Sequence, residues 1–548
     1  MILLRGLSIL ISGLSLVSVL IFLLHIPIAC GSLDSPSTGI SPIAQDLKIE
    51  PLIPQQTMAD KVADDPITNR RRVLDKNCSL SQVINEDVMP SSKPNIVIML
   101  SDNNGYMDLG CYGGGDVVGA PTPRLDQMAN EGLRLTSFYS ETQCTPTRAA
   151  IMTGRLPIRT GMTLALEPGL GLGLSPKEIT LAKVLSDAGY DTAILGKWHL
   201  GDANKSMPQN MGFDYFWGSL YYANAYTQQE RLGYDFNPPW DYELPGIIEA
   251  QKGSDWKEVQ KLNLSTLGLI DEKITQKAVE FIRDHANSEK PFFLYLPWLR
   301  VHFPTVQNPR WAGKSSRGSF GDAMMELDYN CGMVLDAIKE YGIADNTIVV
   351  FLSDNGPTLD EWPDTGYSPF RGGIGTAYEG GIRVPCIFWW PGHIKAGSVS
   401  NEIMCSLDLF NTFATLGGGA MPDDRPIDGI DQTRFILGQQ CNSNREWVAI
   451  FTGNETIPTA LLWHQFKIHL LAYDTIDGPV SVYGQAPAVY NIEMDPREEH
   501  NIAEGHDFVI HSAFEIVKQL KNTMKSSPNT PVNSGLNWAE GLAGSSNS

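Results

Sequence analysis

Three kinds of residue in this chain stand where they could share one piece of chemistry. A cysteine heads Cys144-Thr145-Pro146-Thr147-Arg148, the pairs Asp102-Asn103 and Asp354-Asn355 each follow an apolar run, and Lys197, His199 and His302 lie just beyond two more such runs. A nucleophile, hard oxygen donors and proton-carrying or cationic groups could together serve covalent and acid–base chemistry. Thr145 reads as an N-cap and Pro146 as the first helical residue. Cys144 would then sit beside free backbone N–H groups, where the helix dipole favours an anion. On the residues alone, Cys144 is open to three readings: a special nucleophile, an ordinary low-pKa thiolate, or a buried or disulfide-bonded thiol.

The elements that must position these groups can be read from apolar patterning. Residues 94–100 form a continuous, β-branched apolar run, as expected of a buried parallel strand, and end in Ser101-Asp102-Asn103. Residues 347–352 repeat the arrangement and end in Ser353-Asp354-Asn355. Leu181, Val184, Leu185 and Ala188 recur at helical spacing, and Gly189 supplies a stop. Residues 192–195 then read as a strand running into Gly196-Lys197-Trp198-His199. A fourth run, residues 291–296, precedes His302. Asp and Asn after a strand are common turn formers, so one such pair means little. Four together point to a site, because doubly wound sheets bind ligands outside the carboxyl ends of their strands.

The twelve residues from Cys144 to Arg155, with the pattern Cys-x-Pro-x-Arg and the tail Thr153-Gly154-Arg155, resemble the sulfatase signature. Gly196-Lys197-Trp198-His199-Leu200-Gly201, Ser353-Asp354-Asn355-Gly356 and Tyr378-Glu379-Gly380-Gly381-Ile382-Arg383-Val384-Pro385 resemble further segments of that family, in its order. Tyr490-Asn491-Ile492, Asp495-Pro496 and Asn501-Ile502-Ala503 resemble its closing motif, so the likeness spans roughly residues 94–503.

That resemblance implies an alkaline-phosphatase-like α/β sandwich. It would have a large mixed, mostly parallel sheet flanked by helices, and a small C-terminal α+β subdomain with an antiparallel sheet. The implied activity is hydrolysis of an aryl sulfate or sulfated carbohydrate by formylglycine, made from Cys144 by a formylglycine-generating enzyme during maturation. One hydroxyl of the hydrate attacks sulfur, and the second then loses its proton as sulfate is expelled. By the same match, calcium would be held by Asp102, Asn103, Asp354, Asn355 and an oxygen of residue 144. Asp354 would accept the nucleophile's proton, while Arg148 and Lys197 hold formylglycine and sulfate. His199 would be the base of the elimination, and His302 would bind sulfate and protonate the leaving oxygen.

Two positions depart from the family's pattern. Asn103 stands where most sulfatases have a second aspartate, and Ile374 stands where they have a sulfate-binding lysine, with Arg371 the nearest replacement. These changes motivate two rival expectations: a phosphodiester or phosphonate monoester hydrolase with the same nucleophile, and a degenerate, non-enzymatic sulfated-glycan binding protein. Trp217, Tyr221, Tyr222, Tyr226, Trp362 and Tyr367 are candidates for stacking on an aryl or sugar ring, or for loop core.

The chain has 548 residues, eight cysteines and a formal charge of −21, which argues against nucleic acid as a partner. No CxxC pair or zinc-like cluster occurs, and disulfide connectivity stays open. Residues 1–30 read as an export signal or a membrane anchor, with Cys30 in a lipobox-like setting that would attach the chain by lipid. Residues 31–91 read as a flexible spacer, 92–438 as the catalytic domain, 439–525 as the C-terminal subdomain and 526–548 as a flexible tail. The catalytic domain is thus expected outside the cytoplasm: periplasmic, secreted or membrane-anchored. Sequons occur at Asn263 and Asn454.

Overall fold

The computed structural model describes residues 92–232, 244–453, 457–472, 481–482 and 487–531. The export segment, Cys30, the spacer up to residue 91, the Asn454 sequon and the tail beyond residue 531 lie outside the described residues. Among the described residues, no helix is long and apolar enough to cross a membrane.

One large sheet organises the fold. Its strands are β1 (Asn95–Ser101), β2 (Leu133–Tyr139), β3 (Asp191–Leu195), β4 (Tyr215–Gly218), β5 (Ile247–Gln251), β6 (Lys257–Gln260), β7 (Phe292–Pro297), β8 (Thr347–Ser353), β9 (Arg383–Trp389), β10 (Ser398–Ser400) and β11 (Met404–Cys405). The order is β10-β2-β9-β8-β1-β7-β3-β4-β5-β6, with β11 also pairing β2. The five central strands, from β8 to β4, are mutually parallel, while β9, β5 and β6 join antiparallel to their inner neighbours.

The continuous apolar runs follow from this burial. Ile96, Ile98 and Leu100 of β1 face one core and Val97 and Met99 the other; β8 divides likewise, with Ile348, Val350 and Leu352 opposite Val349 and Phe351. The first core is closed by helices α2 (Cys144–Thr153), α3 (Leu181–Asp187) and α6 (Asp408–Leu416). The second is closed by α1 (Pro123–Glu131), α4 (Ile270–His285) and α5 (Gly318–Glu340). Helix–sheet–helix layering results.

After this sandwich comes a four-stranded antiparallel sheet, β12 (Trp447–Ile450), β13 (Ala460–Trp463), β14 (Phe466–His469) and β17 (Ala488–Asn491), with a short ribbon of β15 (Leu471–Ala472) and β16 (Ser481–Val482). Helix α7 (Asp507–Ser526) lays Val509, Ala513 and Leu520 into its core. The smaller unit joins the larger through buried charge. Lys467 Nζ on β14 donates to Glu379 Oε1 at 2.9 Å and lies 3.2 Å from Glu498 Oε1, which also meets His469 Nε2 at 2.6 Å. Glu498 Oε2 accepts the Glu379 backbone N–H at 2.7 Å.

Burial alone would raise the Glu498 carboxyl, but Lys467 and then His469 hold it down from 4.5 to about 2. A depressed folded-state pKa stabilises the fold above the unfolded value and is lost as pH falls through the folded one. The stability difference between wild type and Glu498→Gln should therefore be full near neutrality and shrink from pH 4.5 towards 2. Denaturant titrations across that window check it; a constant difference would contradict the assignment.

Candidate active site

Register brings the two oxygen pairs together. Ser101 pairs Ser353 at the carboxyl ends of β1 and β8, so Asp102 and Asp354 leave the sheet side by side. Asn103 N–H donates to Asp354 Oδ1 at 3.1 Å, and Asn355 Nδ2 donates to Asn103 Oδ1 at 2.6 Å. Asn103 takes a left-handed backbone conformation, φ 61°, which Asn tolerates better than most residues. Beyond β3, Gly196 has φ 129°, and a Cβ there would come within 1.9 Å of the Pro297 carbonyl oxygen. Only glycine lets the β3 and β7 ends close so tightly, and the next residue is Lys197.

Two cations meet the two carboxylates. Arg148 Nη2 lies 2.7 Å from Asp354 Oδ2 and 3.0 Å from Asp102 Oδ2, and its Nη1 donates to the Lys197 carbonyl at 2.9 Å. Lys197 Nζ lies 2.5 Å from Asp102 Oδ2. All four side chains are fully buried.

Cys144 opens α2 within this cluster, and the local structure corrects one expectation. The N-cap is Gln143, and Thr145 lies inside the first turn. Its hydroxyl is taken by tertiary bonds instead, donating to the His199 carbonyl at 2.9 Å and accepting the Leu166 N–H at 3.1 Å. The position of Cys144 at the helix start survives the correction. The thiol is free, so the disulfide reading fails. It is buried 3.6 Å from Asp102 Oδ1 and 3.8 Å from Asn103 Oδ1. Burial first, then Asp102 and Asp354, push its pKa well up against Lys197 and Arg148, which speaks against the low-pKa thiolate reading.

Both histidines reach the cluster. A ring nitrogen of His302, the Cys144 sulfur and an Asp102 oxygen lie within 4.8 Å of one another. His302 Nδ1 is 2.6 Å from the Phe303 carbonyl. Burial first, then Lys197, lower the pKa of His302 to about 3. His199, with φ 54°, sets Nε2 3.0 Å from the Leu166 carbonyl, while its buried Nδ1 has no hydrogen-bond partner. Burial and Lys197 likewise hold its pKa well below the ordinary value. Asp354 is shifted upward, by burial first and by Asp102 second.

The donor set suits a hard cation. Carboxylate oxygens of Asp102 and Asp354 and the amide oxygen of Asn103 converge beside residue 144, and buried Asn355 Oδ1 has no hydrogen-bond partner. An oxygen-only set with one orphaned carbonyl fits calcium.

Arg371 does not stand in for the missing lysine. It stacks on Tyr378 at 4.0 Å and donates to the Glu498 carbonyl, so it belongs to the seam with the small sheet. Ile374 is half-buried, its N–H donating to Pro357 O at 2.9 Å. Of the aromatic candidates, Tyr221 and Tyr222 flank His199, and Tyr222 also stacks on His302. Tyr226 accepts the N–H groups of Leu220 and Tyr221, Trp217 is buried under Lys277, and Trp362 and Tyr367 are exposed. Sequence reading missed Thr358, whose hydroxyl accepts from Asn103 Nδ2 at 2.9 Å, and Glu167, which accepts the Tyr222 hydroxyl at 2.7 Å. No local pattern marks either; only the folded chain brings them in.

Known proteins resemble this chain in sequence and fold. A profile of the sulfatase family matches residues 94–419. Rat N-acetylgalactosamine-6-sulfatase is 38% identical over 69% of this chain and 71% of its own, and human arylsulfatase A is 33% identical over 78% and 87%. Among solved structures, the PsFucS1 sulfatase from a Pseudoalteromonas species superposes with a TM-score of 0.75 at 36% identity, covering 85% of this chain and 96% of that one. A phosphonate monoester hydrolase from Agrobacterium radiobacter, at 18% identity and a TM-score of 0.52, shares the fold. With its buried cysteine held between strand-end oxygens and paired cations, and with these relatives, the chain belongs to the sulfatase family of sulfuric ester hydrolases.

Proposed function

We propose that this chain hydrolyses sulfate esters of carbohydrates with residue 144 matured to formylglycine and calcium held by Asp102, Asn103, Asp354 and Asn355. The observation that carries the reading is the burial of Cys144 among Asp102, Asn103, Arg148 and Lys197. A thiol whose pKa is driven up there is a poor nucleophile. The aldehyde hydrate, when formed, supplies an oxygen nucleophile, and the cation lowers its pKa.

The chain's own groups divide the remaining work. Asp354 takes the attacking proton, and its raised pKa suits it to hold one. Arg148 and Lys197 are fixed cations in a dry pocket, where charge that develops on sulfate oxygens is stabilised without solvent reorganisation. With His199 Nε2–H donating to Leu166 O, the partnerless Nδ1 is the atom that accepts the second proton. With His302 Nδ1–H donating to Phe303 O, Nε2 would carry a proton for the bridging oxygen in the imidazolium form, which burial and Lys197 disfavour and an ester anion bound beside the ring would favour. A sugar alcohol as the leaving group is supported by the name of the N-acetylgalactosamine-6-sulfatases and by exposed Leu359, Trp362 and Tyr367 on the loop after Thr358, which suit stacking on a sugar face. Export through residues 1–30 and maturation by a formylglycine-generating enzyme complete the proposal.

The test is mass spectrometry of the tryptic peptide from Leu135 to Arg148, from cells that contain the maturation machinery. Formylglycine at residue 144 is expected; unmodified cysteine, with a control substrate converted, would refute the reading. Cys144→Ala should abolish turnover in a chain that still folds.

Ile374 and Asn103 are coupled by structure. The Ile374 N–H reaches Pro357, and Thr358 next to it holds the Asn103 amide. Relative to the family pattern, one substitution removes a positive charge and the other a negative one, so the pocket's net charge is kept. Ile374→Lys should raise kcat/KM on an aryl sulfate by about tenfold or more, the scale of one charged transition-state contact. The gain should be larger in an Asn103→Asp background, and additive effects would show the two positions to be independent.

A further inference from the structure

Tyr222 touches more of the reacting machinery than any role given to it so far explains. Its ring lies nearly parallel to the His302 imidazole, 5.3 Å between centroids at 18°, and 5.3 Å from His199 at 53°. The Lys197 ammonium is 5.8 Å from the same ring. Its hydroxyl donates to Glu167 Oε2 at 2.7 Å, and the preceding residue, Leu166, is held by Thr145 Oγ1 and carries the carbonyl that His199 meets.

The phenol is therefore pinned at its far end while its face lies against His302. Imidazole χ2 is a soft, broad torsion. A single hydrogen bond at Nδ1, to Phe303, leaves that ring free to pivot about the bond; a flat neighbour removes the freedom. We infer that Tyr222 is a positioning residue that fixes the plane of the His302 imidazole, so that its second nitrogen meets the leaving oxygen of the ester. This rests on the reading of His302 given above.

A group that aims a proton donor matters in proportion to how badly the leaving oxygen needs the proton. Phenyl sulfate and 4-nitrophenyl sulfate have similar shapes but release phenolates of very different basicity. Tyr222→Ala should lower kcat/KM on phenyl sulfate by about a hundredfold, within the usual reach of general acid catalysis, and on 4-nitrophenyl sulfate by about tenfold less than that. Tyr222→Phe keeps the stacked ring but loses its anchor on Glu167, and its losses should be smaller than those of Tyr222→Ala on both esters. Because Tyr222 acts through His302, Tyr222→Ala should cost little more in a His302→Ala background.

Equal losses on the two esters, or full additivity with His302→Ala, would overturn the inference while leaving the sulfatase reading intact. A matured wild-type chain that hydrolyses neither these esters nor a 6-sulfated sugar would overturn both. Should Tyr222→Ala fail to fold, Tyr222→Leu retains most of the buried volume without the flat ring and carries the same expectation.

Discussion

Four ionised side chains with no exposure to solvent, Asp102, Asp354, Arg148 and Lys197, set the terms for this molecule. Taking each ion out of water costs several kcal/mol, and mutual attraction offsets this only when geometry satisfies every donor and acceptor. The register of β1 on β8 places the carboxylates, α2 delivers the guanidinium, and the glycine turn after β3 delivers the ammonium. Displacing any one element would leave an uncompensated charge in the interior. The sandwich is thus constrained by its polar centre as much as by its two apolar cores.

The same count explains how a chain of formal charge −21 receives an anion. The quartet is neutral in itself, two against two. A divalent cation held by its oxygens, as proposed, would make the pocket locally positive, and an ester anion would then enter a site that needs it. Asn103 and Ile374 read differently in this light than they do one at a time. Losing an aspartate makes the occupied site more positive by one unit, and losing a lysine takes that unit away. Net charge persists while its distribution changes, which under the calcium reading would shift attraction for sulfate from a flexible side chain towards the cation.

Much of this was legible in the sequence, for a physical reason. A parallel strand buried on both faces must be apolar throughout, so residues 94–100 and 347–352 announced themselves, and whatever follows such strands lies at the sheet's carboxyl edge. The nucleophile segment was legible because it is contiguous. What escaped was long-range. Thr145 looked like a cap because its type suits one, yet tertiary bonds to His199 and Leu166 claimed its hydroxyl. Thr358, Glu167 and the contact of Tyr222 with both histidines are fixed by chain segments far apart in sequence, and no local periodicity encodes them. Arg371, three residues before Ile374, where the family's lysine falls, turned to the other subdomain.

That turn shows what the smaller unit does for the larger. Arg371 is held by Tyr378 and the Glu498 carbonyl, its own carbonyl accepts the Gly380 N–H, and the Glu379 N–H is fixed by the Glu498 carboxylate. Lys467 of β14 ties Glu379 and Glu498 together. The loop carrying Ile374 is therefore clamped on both sides by the small sheet, and Ile374 itself is bonded to Pro357. A side chain on so constrained a loop holds a defined position.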